Sequence, residues 1–233
     1  MIKIIIYFVL LFIAIYCLMP TLYYLLIKKP PFFFDKNDKK VMLSFDDGPD
    51  PRYTDDLLDI LKKNNVKAAF FVVAQKAAEN PDIIRRMIDE GHLVGLHSLE
   101  HKDAWLESPV YQKRDFESGL AIMENLGCKI SFYRAPWGHL NLTSLLLAKK
   151  YNLKIVLWTV MVQDWEKHST SKRVLERLTK QTKNASIICI HDSGCGKAAA
   201  EGAPAQTVDA VAHFLPMMLT KGYEFVLPEK GIL

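Results

Sequence analysis

The sequence predicts an α/β protein: a seven-stranded parallel β/α barrel preceded by one transmembrane helix. Three observations lead there. Residues 4–27 form an uncharged run of 24 residues. From residue 41 onward, short β-rich runs alternate with amphipathic stretches, the pattern of a parallel sheet with right-handed crossovers. Five of those runs end in residues able to do chemistry. A parallel barrel opens all its strand ends onto one face, whereas a doubly wound sheet gathers them mainly at one crevice. Five reactive ends favour the barrel.

The apolar run lies between Lys3 and Lys28-Lys29. As a helix it is about 36 Å long, enough to cross a hydrocarbon core of about 30 Å. A cleaved signal peptide would have a shorter apolar region and a small-residue cleavage site. Here the run ends in Tyr23-Tyr24-Leu25-Leu26-Ile27-Lys28-Lys29-Pro30-Pro31, so an uncleaved anchor over residues 1–29 is expected. Tyr23 and Tyr24 suit a membrane interface. Lysines at both ends leave the charge bias across the segment nearly even. Residues 30–40 read as a short tether stiffened by prolines, and residues 41–233 as the folded domain.

Within that domain the expected strands are 41–45, 68–73, 92–96, 130–133, 154–159, 186–190 and 223–227. Helix boundaries are marked by Asn80-Pro81 and Gly91, and by Ser108-Pro109 and Gly127. Ser171 is the expected cap of a helix ending near Lys183, and Gly222 follows the last helix. Leu57, Leu58, Ile60 and Leu61 give the first helix of the domain its buried face.

Composition narrows the functional classes. Of 233 residues, 50% are hydrophobic and the net charge is +4, which excludes a disordered chain. Lys3, Lys28 and Lys29 lie in a segment without acids, leaving 27 basic and 26 acidic residues elsewhere. Such a balance carries no electrostatic footprint for nucleic acid. Four scattered cysteines (17, 128, 189 and 195) form no zinc-ribbon or C-x-x-C pattern.

The reactive residues group into one constellation. His97 and His101, four residues apart, would point the same way on a helical turn and share a metal; a surface pair is the bland alternative. Asp47 supplies a third ligand if the first and third strand ends meet. Two imidazoles and a carboxylate suit Zn²⁺, with Co²⁺ or Ni²⁺ also compatible. Asp46 beside Asp47 invites a division of labour, one acid binding metal and the other accepting a proton, although a simple Asp-Gly-Pro turn uses the same residues. Gly48 would let the backbone pass close. Arg134 can hold Asp46 ionised, and Asp164 can raise the pKa of a nearby histidine. A protonated His191 can donate to a leaving group. Trp137 and Trp165 offer apolar walls suited to sugar rings, or are core residues. His92, His139, His168 and His213 read as structural or rim residues.

In order along the chain these motifs resemble the polysaccharide deacetylases of carbohydrate esterase family four, over residues 40–228. Ser44-Phe45-Asp46-Asp47-Gly48 matches T-F-D-D-G, and His97-Ser98-Leu99-Glu100-His101 matches H-S/T-x-x-H. Arg134-Ala135-Pro136, Asp164-Trp165 and His191 complete the set. Two departures stand out: Cys189 replaces a leucine of L-x-L-x-H, and Met161 replaces the first Asp of D-x-x-D-W.

The resemblance implies a distorted barrel and metal-dependent hydrolysis of an N-acyl group on an amino sugar. It implies Asp47, His97 and His101 as metal ligands, Asp46 as general base held by Arg134, and His191 as general acid oriented by Asp164. Trp137 would contribute a backbone N–H for the oxyanion, with Trp165 and Cys189 bordering the acetyl methyl. The expected substrate is N-acetylglucosamine in a cell-envelope polymer, peptidoglycan first, with residues 41–233 as the catalytic domain on the outer face of the cell membrane. A deacylase or deformylase of a lipid-linked amino sugar is the alternative enzyme, and an inactive anchored carbohydrate-binding module the alternative of another class.

Overall fold

The computed structural model of the chain describes residues 1–27, 35, 37–194, 200 and 202–228. Most of the expected tether, Lys28-Lys29, Cys195 and the last five residues lie outside these. The strands are β1 (Lys40–Asp46), β2 (Ala69–Val72), β3 (Leu93–Leu96), β4 (Phe132–Tyr133), β5 (Lys154–Ile155), β6 (Val160–Met161), β7 (Ile187–His191) and β8 (Glu224–Phe225). All ladders are parallel, in the order β5-β4-β3-β2-β1-β7-β6, with β8 on the first residues of β1.

The strand expected at 154–159 ends at Ile155, and a further strand follows at 160–161, at the opposite end of this order. β5 pairs with β4 and β6 with β7, joined by residues 156–159. One segment therefore bridges both edges, and the sheet curls into a distorted barrel. The split has a local cause: the carbonyl of Val156 accepts from Arg134 Nε at 3.0 Å, and Thr159 Oγ1 accepts from the N–H of Ile187 at 2.9 Å. The N–H groups of Val156 and Thr159 still donate to the carbonyls of Tyr133 and Ile187, both at 2.9 Å, so these two bonds take up only the groups a straight strand would otherwise pair.

Strand alternation sorts the core. Leu43, Phe45, Phe70, Ile188 and Ile190 join the larger cluster with the helices, while Met42, Ala69, Phe71 and Ile187 form a second cluster with Phe132 and Val156. Leu57, Leu58 and Leu61 of helix Thr54–Lys63 are buried, with Ile60 packed at the margin. Helix Pro81–Asp89 follows Asn80, and helix Pro109–Asn125 is capped by Ser108 Oγ, which accepts from the N–H of Tyr111. The cap of helix Ser171–Gln181 is Thr170 rather than Ser171, its Oγ1 accepting from Arg173 at 3.3 Å.

The N-terminal helix, Ile2–Leu26, has the length and composition to cross a membrane. Its second half lies against the domain. Thr21 Oγ1 donates to the carbonyl of Leu140 at 2.9 Å and accepts from the Leu140 N–H at 2.9 Å. Trp105 Nε1 also donates to that carbonyl, at 3.0 Å. The Tyr16 hydroxyl lies 2.7 Å from Thr143 Oγ1.

Candidate active site

The C-terminal ends of β1, β3, β4, β6 and β7 deliver the reactive residues to one cleft of about 410 Å³. Successive strand residues normally face opposite ways. Asp47 breaks that rule with φ 77°, and both Asp46 and Asp47 line the cleft. Gly48 follows because a Cβ there would strike the Asp192 carboxylate. Asp192 is buried and accepts from Thr54 Oγ1 at 2.7 Å, and burial pushes its carboxyl up to about 7. Lys76 Nζ ties the turn, donating to the Asp47 carbonyl at 2.9 Å and to Ser193 Oγ at 2.7 Å.

His97 and His101 do meet, but not on a helical turn. They lie on a loop bent by Ser98 (φ 96°) and His101 (φ 56°), where Ser98 Oγ accepts from the His101 N–H at 2.8 Å. His97 Nδ1 lies 2.8 Å from the Arg134 carbonyl. A carbonyl only accepts, so Nδ1 carries the proton and Nε2 keeps its lone pair. Asp47 Oδ1 lies 3.3 Å from His97 Nε2 and 3.0 Å from His101 Nε2. Burial acts to raise the Asp47 pKa, but the imidazoles of His101 and His97 beside it, with the charge of His191, outweigh that and hold the carboxyl well below its usual range.

This donor set fits a divalent metal. One carboxylate oxygen and two imidazole nitrogens lie within 4.8 Å of one another. Bonds of about 2.0–2.1 Å in a tetrahedral site require donors about 3.3 Å apart, close to the two separations above. The backbone carbonyl on His97 Nδ1 is the outer partner that orients a ligating imidazole.

Arg134 is fully buried. Its Nη1 donates to Asp46 Oδ1 at 2.6 Å and to Ser44 Oγ at 2.8 Å, and its guanidinium lies 4.0 Å from the centre of the Phe71 ring. On the neighbouring strand, in register with Asp46, His191 Nδ1 bonds Asp164 Oδ1 at 2.9 Å. Asp164 Oδ2 accepts from the His191 N–H and from Thr207 Oγ1, both at 2.8 Å. Burial would lower the His191 pKa, but the Asp164 charge and hydrogen bond prevail, helped by Asp47 and Asp46, and raise it to about 10.

Trp137 has φ 55° and is 49% exposed; its ring lies 4.4 Å from that of His101. Trp165 stands edge-on to His191 at 5.0 Å. Both line the cleft with Trp158, Met161 and His139. The sequence alone assigns no role to Trp158 and reads His139 as a structural or rim residue. His139 is pinned by Asp103 at 2.9 Å and stacked on Trp105 at 3.9 Å; no local motif announces that pairing. Cys189 is placed differently from expectation. It is fully buried and absent from the cleft lining, and its Sγ donates to Asp46 Oδ2 at 3.2 Å. Burial, followed by the Asp46 charge, pushes the thiol pKa up, so it remains a donor behind the carboxylate.

A family model described as polysaccharide deacetylase matches residues 34–156, and a peptidoglycan-N-acetylglucosamine deacetylase of Bacillus cereus is 30% identical over 192 residues, 82% of this chain and 86% of that protein. The chain belongs to the polysaccharide deacetylase family. A chitooligosaccharide deacetylase of Bradyrhizobium is also 30% identical, over 80% of this chain and 87% of its own length. The crystal structure of the Bc1960 peptidoglycan N-acetylglucosamine deacetylase superposes with a TM-score of 0.75 at 31% identity, covering 82% of this chain and 87% of that one. The polysaccharide deacetylase fold thus accounts for the curled parallel sheet, and its deacetylases are metal-dependent enzymes that hydrolyse N-acetyl amide bonds.

Proposed function

We propose that the protein removes N-acetyl groups from N-acetylglucosamine units of a cell-envelope polysaccharide, peptidoglycan first. The reading is carried by the meeting of Asp47, His97 and His101 in one cleft with two neighbouring pairs, Asp46–Arg134 and His191–Asp164. Asp47, His97 and His101 would hold the metal, zinc by donor preference with cobalt or nickel compatible. When bound, it supplies a Lewis acid for the acyl carbonyl.

The residues divide the proton work. Asp46, fixed by Arg134 and Cys189, accepts a proton from the attacking water. Its oxygens keep lone pairs beyond those two bonds. The backbone N–H at Trp137 donates to the developing oxyanion. His191, protonated through its pairing with Asp164, gives its proton to the departing amine. Trp137 and Trp165 wall the sugar and acyl group. Residues 1–29 serve as an uncleaved single-pass anchor, 30–40 as a tether and 41–233 as the catalytic domain on the outer face of the cell membrane.

The test uses the full chain in detergent micelles. Acetate release from N-acetylglucosamine oligomers and from peptidoglycan is measured after chelation and again after adding Zn²⁺ or Co²⁺. Release restored by metal is expected. No release with metal bound would reject the polymer, and no release without metal binding would favour a carbohydrate-binding module. One observation favours a lipid-linked amino sugar as a second substrate: the N-terminal helix packs on Trp105, against which His139 of the cleft is stacked. Release from lipid-carried but not polymeric sugar would select it.

A further inference from the structure

The docked part of the N-terminal helix contacts two loops that frame the cleft. Thr21 binds Leu140 and Trp105, and Tyr16 meets Thr143. Asn141 Nδ2 ties the loops together by donating to the Ala104 carbonyl at 2.5 Å. Seven large apolar residues outside that helix are exposed among the described residues, and five of them (Leu106, Val110, Trp137, Leu142 and Leu146) belong to these two segments. Leu106 follows Trp105 directly. Leu142 and Leu146 lie one turn apart on helix Leu142–Lys150, on either side of Thr143 in sequence.

Length decides what covers this surface. Residues 2–15, ahead of the docked stretch, supply about 21 Å at 1.5 Å per residue. That is about 9 Å short of a hydrocarbon core of about 30 Å. If the helix spans the bilayer, the missing depth comes from residues 16–21, which take Trp105, Leu140 and Thr143 down with them. Interfacial apolar surfaces enter the headgroup and acyl boundary by about 5–10 Å, the depth required. We propose that Leu106, Leu142 and Leu146 form a membrane-resting surface continuous with the apolar helix. Its partner is the lipid bilayer, and the Trp137–His139 edge of the cleft opens at headgroup level. This inference rests on the anchor reading above and is independent of the reaction.

The test places a diazirine-bearing residue at position 142 or 146 of the full chain, or at exposed Ile88 as control, in nanodiscs of phosphatidylcholine and phosphatidylglycerol. Lipid adducts at 142 and 146 should exceed those at 88 at least fivefold. Equal lipid adducts, or crosslinks to a second copy of the chain, would overturn the surface. Alkaline carbonate extraction separates the two ideas. A chain that washes out defeats the anchor and the surface together, whereas a retained chain without lipid adducts defeats the surface alone.

Discussion

Replacing Asp164 by Asn tests the acid of the mechanism where its energetics are visible. His191 stands at about 10 against an ordinary 6.5, although burial acts to lower it. Asp164 provides the largest opposing contribution, a carboxylate 2.9 Å from Nδ1. Without that charge, burial is opposed mainly by Asp47 and Asp46, and the His191 pKa should fall by at least about two pH units, or about 2.7 kcal/mol. At pH 9 a group at about 10 is about 90% protonated, and one at about 8 about 10%. The variant should therefore lose about tenfold more activity at pH 9 than at pH 6.5, in addition to any loss shared by both. The assay is kcat/KM for acetate release between pH 6 and 10, with bound metal measured alongside. An alkaline limb unmoved by the substitution would refute His191 as the acid. The linkage sign is fixed as well. A raised folded-state pKa contributes stability that is full below about 6.5 and disappears as pH climbs through about 10.

The other outcomes follow from separate contacts. Arg134→Met strips a buried carboxylate of its partner, and should cost about 3–5 kcal/mol of stability, read as a lowered denaturation midpoint together with loss of turnover. Gly48→Ala forces a methyl group into the Asp192 carboxylate and should cost about 1–3 kcal/mol, seen as a drop in Tm; an unchanged Tm would show that the turn yields. Asp46→Asn should abolish acetate release while sparing metal content, whereas His97→Ala or His101→Ala should lose both, by metal analysis and activity. Cys189→Ala should retain turnover within about tenfold, because its protonated thiol only supports Asp46; complete loss would make the sulfur essential.

Much of this arrangement was legible in the chain. The short apolar runs of β1, β2 and β7 and the Pro and Gly punctuation of the helices placed the sheet, because those signals are local. The five reactive strand ends were legible for the same reason. What escaped depended on contacts distant in sequence. The early end of the strand expected at 154–159 goes with Arg134 claiming the Val156 carbonyl, which no periodicity encodes. The His97–His101 loop mimics helical spacing, and its positive φ angles fall on Ser and His rather than Gly. The resemblance sets Cys189 beside the acyl group, whereas its bond to Asp46 joins residues 143 apart and has no local sequence signal. His139 gained its place through Asp103 and Trp105, and the seating of the N-terminal helix through Thr21, a residue inconspicuous within an apolar run.

The segment that joins β5 to β6 has a consequence for how the chain tolerates being cut or lengthened. Residues 156–159 are the clasp of the barrel: they hold both of its outer strands and also accept the hydrogen bond of the buried arginine. A nick or an insertion there would release two unpaired edges at once, each a template for pairing with another chain, and loosen Arg134 from beneath Asp46. Lengthening the turn at Gly127, which is exposed and has nothing packed against it, disturbs neither edge. Sites for inserted sequence or a split reporter therefore belong there, and the short clasp is where polymerisation by strand exchange would begin.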